Sequence, residues 1–334
     1  YIGIIIASSL VVWKGSGLLE SSSEALAFHY NLPPIIQGGI ITAVGSSFPE
    51  LSTTVVSTLL HGKFDLGVSA IIGSAIFNIL VIPGVSVIVA GKLKSDRTLV
   101  YKDAQFYITS IAVLLLAFSI AVIYNPVEGS NLQGMVSRPI ALIPFLLYFL
   151  YLFLQQQELR DFKKEERKKN KPIEKVWKQW LILTWSLILI LVSVEGLVRS
   201  AIFMGDYFDT PSFIWGVTVV AAATSIPDAL VSYRLAMHKK GVISLANVLG
   251  SNIFDLLICI PAGVLIAGSS MVDFSVAVPM MLYLTIVTIV LFTFMRTGLT
   301  IIRREGYILV ALYLIFVLWM ILESYGIMTY LVHE

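Results

Sequence analysis

Long apolar runs separated by short polar stretches dominate this chain. Ten of these runs come close to the roughly 20 residues that a helix needs to cross a lipid bilayer. They are continuous rather than alternating, which argues against the strands of a membrane β-barrel. The pattern predicts an all-α polytopic membrane protein. The predicted spans are residues 1–19, 34–60, 66–90, 103–124, 137–156, 179–203, 211–237, 241–268, 274–296 and 305–325.

One strongly polar stretch divides the spans into two groups of five. Residues 157–178 contain nine Lys and Arg residues, and the positive-inside rule places this loop in the cytoplasm. Alternation then puts the loops with Lys92, Lys239 and Arg303 on the same side and both termini outside. The expected division is a first five-helix repeat over 1–156, the basic loop 157–178, and a second repeat over 179–334. Because the chain begins with Tyr1, we expect further residues before it.

Composition narrows the classes of protein that remain. Hydrophobic residues make up 57% of the 334 residues and charged residues only 13%, whereas a soluble domain averages about 25% charged residues. This excludes a soluble enzyme, a nucleic-acid binder and a disordered chain. A single cysteine, Cys259, excludes an intramolecular disulfide framework.

Two short motifs recur in the two groups of spans. Gly-Ser-Ser-Phe-Pro-Glu at 45–50 resembles Ala-Thr-Ser-Ile-Pro-Asp at 223–228, and Gly-Ser-Ala-Ile-Phe-Asn at 73–78 resembles Gly-Ser-Asn-Ile-Phe-Asp at 250–255. The spacing between the copies is 178 residues for the first motif and 177 for the second. Because five is an odd number, the second group must cross the membrane in the opposite sense. The sequence therefore predicts two inverted five-helix repeats, a plan that places the substrate site between the repeats.

Two acids lie in the middle of predicted spans. Glu50 and Asp228 each end one copy of the first motif, and a charge at the bilayer centre costs at least about 2.5–3.5 kcal/mol. A bound cation is the natural partner, although protonated, hydrogen-bonded carboxyls are the structural alternative. Pro49 and Pro227 precede the acids, and a proline removes the hydrogen bond to the carbonyl four residues earlier. We expect both helices to be half broken there, with carbonyls facing a cavity.

Other oxygen-bearing residues surround these acids in the sequence. Residues four apart share a helix face, so hydroxyls one turn before each acid are candidate ligands, as are the polar residues of the second motif. A membrane serine ordinarily bonds its own helix, but the repetition favours a ligand row. All of the candidates offer hard oxygen ligands, and no intramembrane His or Cys is expected beside them. Such a set suits Ca²⁺ and alkali cations. The candidates are Glu50, Asp228, Ser46, Ser47, Thr224, Ser225, Ser74, Asn78, Ser251, Asp255 and the carbonyls of Ala43 and Ala221.

Two further groups of charged residues are not expected to bind ions. Glu20 and Glu24 follow the first predicted span and are interpreted as an exposed loop face. Glu195 and Arg199 stand one helical turn apart and are expected to form a local ion pair.

With these motifs the chain resembles the cation/calcium exchanger superfamily, in its sodium/calcium exchanger branch. That family carries two inverted repeats with Gly-(Ser/Thr)-Ser-x-Pro-(Glu/Asp) and Gly-Ser-x-x-x-(Asn/Asp) motifs. The proton/calcium branch usually has Gly-Asn-x-x-Glu, and Ser46 and Thr224 stand in place of that Asn. Ala223 departs from the usual Gly. Asp228 and Asp255 are similar to the potassium-dependent sodium/calcium exchangers.

The resemblance implies a secondary antiporter rather than an enzyme. It would exchange Na⁺ for Ca²⁺ by alternating access, with one central carboxylate site holding either Ca²⁺ or Na⁺ ions. The first and sixth spans would move against the others. No cofactor, nucleic acid or obligate protein partner is expected, only the ions and the lipid bilayer, and the expected location is a prokaryotic cell membrane. H⁺/Ca²⁺ antiport and K⁺-dependent exchange stay open. A cation channel and an intramembrane aspartyl protease, whose Gly-x-Gly-Asp motif is missing, are weaker alternatives.

Overall fold

The computed structural model of the chain describes residues 1–30, 43–130, 132–161, 176–325 and 327–328, excepting the side chains of 43–44 and 158–161. Most of the basic loop 157–178 and the predicted start of the second span at residue 34 lie outside these residues.

Long helices dominate the part of the chain before the basic loop. A short π-helical turn, Leu99–Asp103, leads directly into the fourth long helix. The helices are α1 (Ile2–His29), α2 (Ala43–Leu59), α3 (Phe64–Ala90), α4 (Ala104–Tyr124) and α5 (Arg138–Asp161).

After the basic loop, two of the predicted spans are interrupted. The seventh consists of α7 (Ser212–Trp215), a π-helical turn (Gly216–Val220), α8 (Ala221–Thr224) and α9 (Ile226–Met237). The eighth consists of α10 (Gly241–Phe254), a π-helical turn (Asp255–Cys259) and α11 (Ile260–Ala267). The uninterrupted helices are α6 (Val176–Phe208), α12 (Phe274–Arg296) and α13 (Arg303–Ser324).

The described residues contain eight helices long and apolar enough to cross a membrane, or nine when the bent pair at 212–237 is taken as one span. The described part of α2 covers 17 residues, fewer than the roughly 20 that a membrane-spanning helix needs. The count of ten spans therefore stays a prediction.

The first span was predicted too short, because α1 continues ten residues beyond residue 19, to His29. Glu20 and Glu24 therefore lie within a helix and not in a loop.

Four short strands were not predicted, because each spans only three to five residues. β1 (Lys92–Lys94) pairs antiparallel with β4 (Thr300–Ile302). β2 (Gln133–Ser137) pairs antiparallel with β3 (Ser269–Asp273). Each pair joins one strand from before the basic loop to one from after it, so the loops of the two halves are tied to each other.

The first helices of the two halves, α1 and α6, run antiparallel along their whole length. Tyr1 stacks on Phe203 at 3.7 Å between ring centroids, and at the other end Trp180 donates to the Tyr30 hydroxyl at 3.3 Å. A Cβ added at Gly15 would lie 2.9 Å from a side-chain carbon of Ile190. The small residue lets the helix backbones approach closely, as is typical of membrane helix pairs.

Burial identifies the helices at the centre of the bundle. In the most apolar window of each, 78% of residues are buried for α3 and 72% for the α10–α11 span, against 22% for α13. A Cβ at Gly73 of α3 would lie 2.1 Å from the carbonyl oxygen of Val217. The second motif thus lies on the two most enclosed of these eight spans, and Gly73 lets the seventh span pack directly against α3.

Candidate functional site

Three carboxylates are buried in the same region of the bundle. Glu50 of α2, Asp228 of α9 and Asp255 at the start of the second π-helical turn are each no more than 2% exposed. They lie close enough to interact electrostatically with one another. Among the described residues, no Lys or Arg forms an ion pair with any of them. Buried like charges repel one another, so protons or bound cations must balance this cluster.

The hydroxyl groups around the acids bridge the two halves of the chain. Ser74 of α3 donates to Glu50 Oε1 at 3.5 Å, and its oxygen lies 2.7 Å from the Ser225 hydroxyl. Ser46 of α2 lies 3.4 Å from Ser251 of α10. The hydroxyls predicted to share a helix face with an acid thus contact groups on other helices.

The same arrangement surrounds both motif acids. Glu50 interacts with Ser74 of its own half and with Thr224 of the other half. Asp228 lies close to Ser251 of its own half and to Ser46 of the other half. Each acid therefore faces one hydroxyl from each repeat, at corresponding positions of the two copies.

Several buried oxygens at this place have no hydrogen bond within the described part of the chain. A buried acceptor without a partner costs about 1–3 kcal/mol, and a cluster of them is a ready-made set of cation ligands. These oxygens are Glu50 Oε2, Asp228 Oδ1 and Oδ2, Asp255 Oδ2, Asn78 Oδ1 and Ser47 Oγ.

The two prolines act differently in the two copies. The second copy breaks as predicted: the helix is interrupted at Ser225, between α8 and α9, and the two parts are bent by 46°. In the first copy the helix is not interrupted: α2 continues through Pro49 from Ala43 to Leu59.

The two carbonyl candidates both lie within helical segments, Ala43 in α2 and Ala221 in α8. The Ala221 carbonyl is not freed, because it accepts from the Ser225 backbone N–H at 3.1 Å and from the Thr224 hydroxyl at 3.3 Å. The proline acts four residues back, on Ala223, so the Ala221 hydrogen bond survives. Ala43 is the first described residue of α2, and its part in the site stays a prediction.

The prediction that no cysteine lies beside the site was wrong. Cys259 is fully buried, and its Sγ lies 3.6 Å from Asp255 Oδ1 and 3.9 Å from the Ser47 carbonyl oxygen. Cys259 is four residues after Asp255, so the same helix-face rule that identified the hydroxyls could have identified the thiol.

The structure also places the other charged residues that were interpreted from the sequence. Glu20, interpreted from the sequence as an exposed loop residue, is partly buried and interacts electrostatically with Asp228, whereas Glu24 is exposed. The predicted ion pair of Glu195 with Arg199 is confirmed. Glu195 also contacts His61 Nε2 at 3.0 Å, a partner 134 positions away that helix spacing does not reveal.

Asn252 lies inside the second motif but was not singled out. It is fully buried, and its carboxamide forms hydrogen bonds with Asn78, Tyr107 and the Ala75 carbonyl.

The described part of the chain holds no group of three or more Asp, Glu, His or Cys side chains positioned for a metal ion. A cation here therefore needs hydroxyl and amide oxygens in addition to carboxylates.

Comparison with known proteins assigns the family. The profile of the sodium/calcium exchanger protein family matches residues 1–156 and 178–322. The chain belongs to this family. Its members are membrane exchangers, which agrees with the apolar helices and with a non-enzymatic protein.

Similar proteins cover nearly the whole chain. An uncharacterized membrane protein of Methanocaldococcus jannaschii is 28% identical over 314 residues, covering 94% of this chain and 96% of the relative. A structure of the sodium-calcium exchanger NCX_Mj, soaked with Na⁺ and Sr²⁺, is 26% identical with a TM-score of 0.60 and covers 94% of this chain and 96% of that one. The crystal structure of the H⁺/Ca²⁺ exchanger CAX has a TM-score of 0.68 at 15% identity, covering 97% of this chain and 88% of that one. The last likeness is one of fold alone.

Proposed function

We propose that this protein is an antiporter that exchanges Na⁺ for Ca²⁺ across the membrane. The observation that carries the proposal is the buried cluster of Glu50, Asp228 and Asp255, which has no basic partner among the described residues and is surrounded by oxygen donors from both halves of the chain. The NCX_Mj structure, that of a sodium-calcium exchanger, supports the same activity.

Both ions suit the proposed ligands for physical reasons. Ca²⁺ takes six to eight oxygen ligands and favours carboxylates, and Glu50 with Asp228 supplies two of them. Na⁺ ions occupy the hydroxyl and amide positions around the same acids. Because both kinds of ion use the same carboxylates, their binding is mutually exclusive, and this exclusion couples the two fluxes.

We further propose that the chain consists of ten spans in two inverted repeats. The antiparallel packing of α1 with α6 supports this, because corresponding helices of inverted repeats run in opposite directions. The strand pairs, each linking one half to the other, agree with the same symmetry. In this proposal α1 and α6 move together against the remaining helices and open the site to either side.

The central test removes one negative charge at a time. Glu50→Gln or Asp228→Asn should abolish Na⁺-driven Ca²⁺ uptake into vesicles containing the purified protein, because each change removes one of the two carboxylates proposed as Ca²⁺ ligands. Glu128→Gln, at an exposed loop acid, is the matched control and should transport normally. Comparable amounts of correctly sized protein by gel filtration establish folding. Near-normal uptake by either site variant would contradict a shared carboxylate site.

H⁺/Ca²⁺ antiport is the second candidate, favoured by the burial of all three carboxylates. Buried carboxylates can carry protons as well as cations. The same vesicles separate the candidates when Na⁺, K⁺ and H⁺ gradients are imposed singly with the other two clamped. Ca²⁺ uptake driven by a Na⁺ gradient at fixed pH supports the proposal, and uptake driven only by a pH gradient supports the alternative. A requirement for K⁺ together with Na⁺ would indicate the potassium-dependent variant.

A further inference from the structure

Asn252 lies at the junction of three helices, α3, α4 and its own α10. Its Nδ2 donates to the Ala75 carbonyl of α3 at 3.2 Å and to the Tyr107 hydroxyl of α4 at 3.1 Å. Its Oδ1 accepts from Asn78 Nδ2 at 3.0 Å. Asn252, Asn78 and Tyr107 are all 0% exposed. Both Nδ2 hydrogens and the oxygen of Asn252 are therefore used by protein partners.

These bonds fix the direction of each amide in turn. The Ala75 carbonyl can only accept a hydrogen bond, so it requires the NH₂ group of Asn252 on its side. The Asn252 oxygen must then face Asn78, which requires the NH₂ group of Asn78 at that contact. Turning either amide over would bring two oxygens, or two NH₂ groups, face to face.

The oxygen of Asn78 is consequently directed away from Asn252. This oxygen is buried and has no hydrogen bond in the described part of the chain. Asn78 shares a face of α3 with Ser74, four residues earlier, whose hydroxyl bonds Glu50 at 3.5 Å. An amide carries an acceptor oxygen that attracts a cation and an NH₂ group that repels it. The orientation of Asn78 thus decides whether it can be a ligand.

We propose that Asn252, anchored by Ala75 and Tyr107, is a positioning residue that holds the Asn78 carboxamide oxygen toward the transported cation. The proposal rests on the proposed function, because it takes Asn78 as a cation ligand. Asn252 does not touch the ion itself. The sequence difference between the repeats agrees with this role: the first motif has Ala75 where the second has Asn252, and Ala75 supplies the carbonyl that orients the amide.

The test compares cation affinities of Asn252→Ala and Tyr107→Phe with the wild type. Ca²⁺ and Na⁺ affinities are obtained separately from the cation dependence of thermal unfolding in detergent, because an ion that binds only the folded state stabilises it. Loss of an outer partner of a metal ligand typically weakens binding by roughly 10–100-fold, and we expect this range for at least one of the two cations in Asn252→Ala. Tyr107→Phe keeps the bonds to Ala75 and Asn78 and should weaken binding less.

A matched control and a double variant separate positioning from general stability. Asn247→Ala removes another amide of α10, one that donates to the Ser232 hydroxyl at 3.2 Å, and should leave cation affinity unchanged. Asn78→Ala should weaken binding by itself. Adding Asn252→Ala to Asn78→Ala should then have no further effect, because Asn252 acts through Asn78.

Two results would overturn the proposal. One is an unchanged affinity for both cations in Asn252→Ala, and the other is independent, multiplicative losses in the double variant. A wild type that binds neither cation would overturn the proposed function as well. A wild type that binds cations but shows no Na⁺-driven Ca²⁺ uptake would overturn only the antiport, and the positioning role would still be decided by the affinities.

Discussion

At the scale of single residues, the site depends on contacts between helices more than on contacts along them. Spacing selected Ser46 and Ser74 as candidate ligands, and both are buried close to the acids. Their partners, Ser251 for the first and Glu50 with Ser225 for the second, come from other helices. Contact along one helix instead places the thiol of Cys259 beside Asp255, four residues earlier, which gives a hard-oxygen site one soft neighbour.

This thiol should make transport sensitive to a soft cation. We expect Cd²⁺ to inhibit Ca²⁺ uptake by the wild type and to inhibit Cys259→Ser several-fold more weakly, because sulfur binds soft metals better than a hydroxyl does. The measurement is the Cd²⁺ concentration for half-inhibition, relative to each variant's own uptake. Inhibition by Sr²⁺, a hard cation, should be equal in the two proteins and serves as the control. Equal sensitivity to Cd²⁺ would show that the thiol does not reach the bound ion.

At the scale of helices, small residues and local breaks determine how the spans approach one another. Gly73 brings α3 into backbone contact with the turn at Gly216–Val220. Pro227 follows a real break at Ser225, whereas α2 absorbs Pro49 without interruption. The two copies of one motif thus have different local conformations, and the break in the second lies in the same span as the π-helical turn Gly216–Val220. Such turns inside α-helices frequently lie at functional sites.

The close approach at Gly73 gives a test of packing. In Gly73→Ala the new Cβ would lie 2.1 Å from the Val217 carbonyl oxygen and 2.8 Å from the Ala221 Cβ, so the helices must move apart. Overpacking of this kind costs about 1–3 kcal/mol, and we expect an equivalent loss of stability in thermal or denaturant unfolding in detergent. Gly17→Ala, where no described atom lies within 4 Å of the new Cβ, should be neutral or slightly stabilising. Unchanged stability of Gly73→Ala would contradict the described helix contact.

At the scale of the whole molecule, the two halves are held together at the centre and at the loops. The antiparallel α1–α6 pair and the two strand pairs connect them over the full height of the bundle. The polar site lies where α2, α3, the break between α8 and α9, and α10 come together. The side of the membrane on which each loop lies follows only from the distribution of basic residues and stays a prediction.

Cysteine labelling tests that orientation. In a Cys259→Ser background, which has no other cysteine, a cysteine at Lys63 should react with an impermeant thiol reagent in intact cells. A cysteine at Lys240 should react only after the membrane is permeabilised, because its loop belongs to the basic, cytoplasmic side. Labelling in detergent controls for local accessibility. Reaction at Lys240 in intact cells would reverse the predicted topology.

The sequence by itself determined the membrane class, the family and the main acids. Apolar runs of bilayer length and a charge in the middle of a span are local properties, and a repeated motif is visible without coordinates. Glu50, Asp228 and Asp255 could therefore be found from their positions alone, and the structure places all three in one buried cluster.

Only the tertiary structure decided which groups meet. Helical spacing predicts neighbours within one helix, but it says nothing about partners more than a hundred residues away. The contact of His61 with Glu195, the crossing of hydroxyls between the halves and the bonding of Asn252 to Asn78 and Tyr107 all depend on how the helices pack. The unequal effect of the two prolines is also a packing result, since the same residue type at the same motif position breaks one helix and not the other.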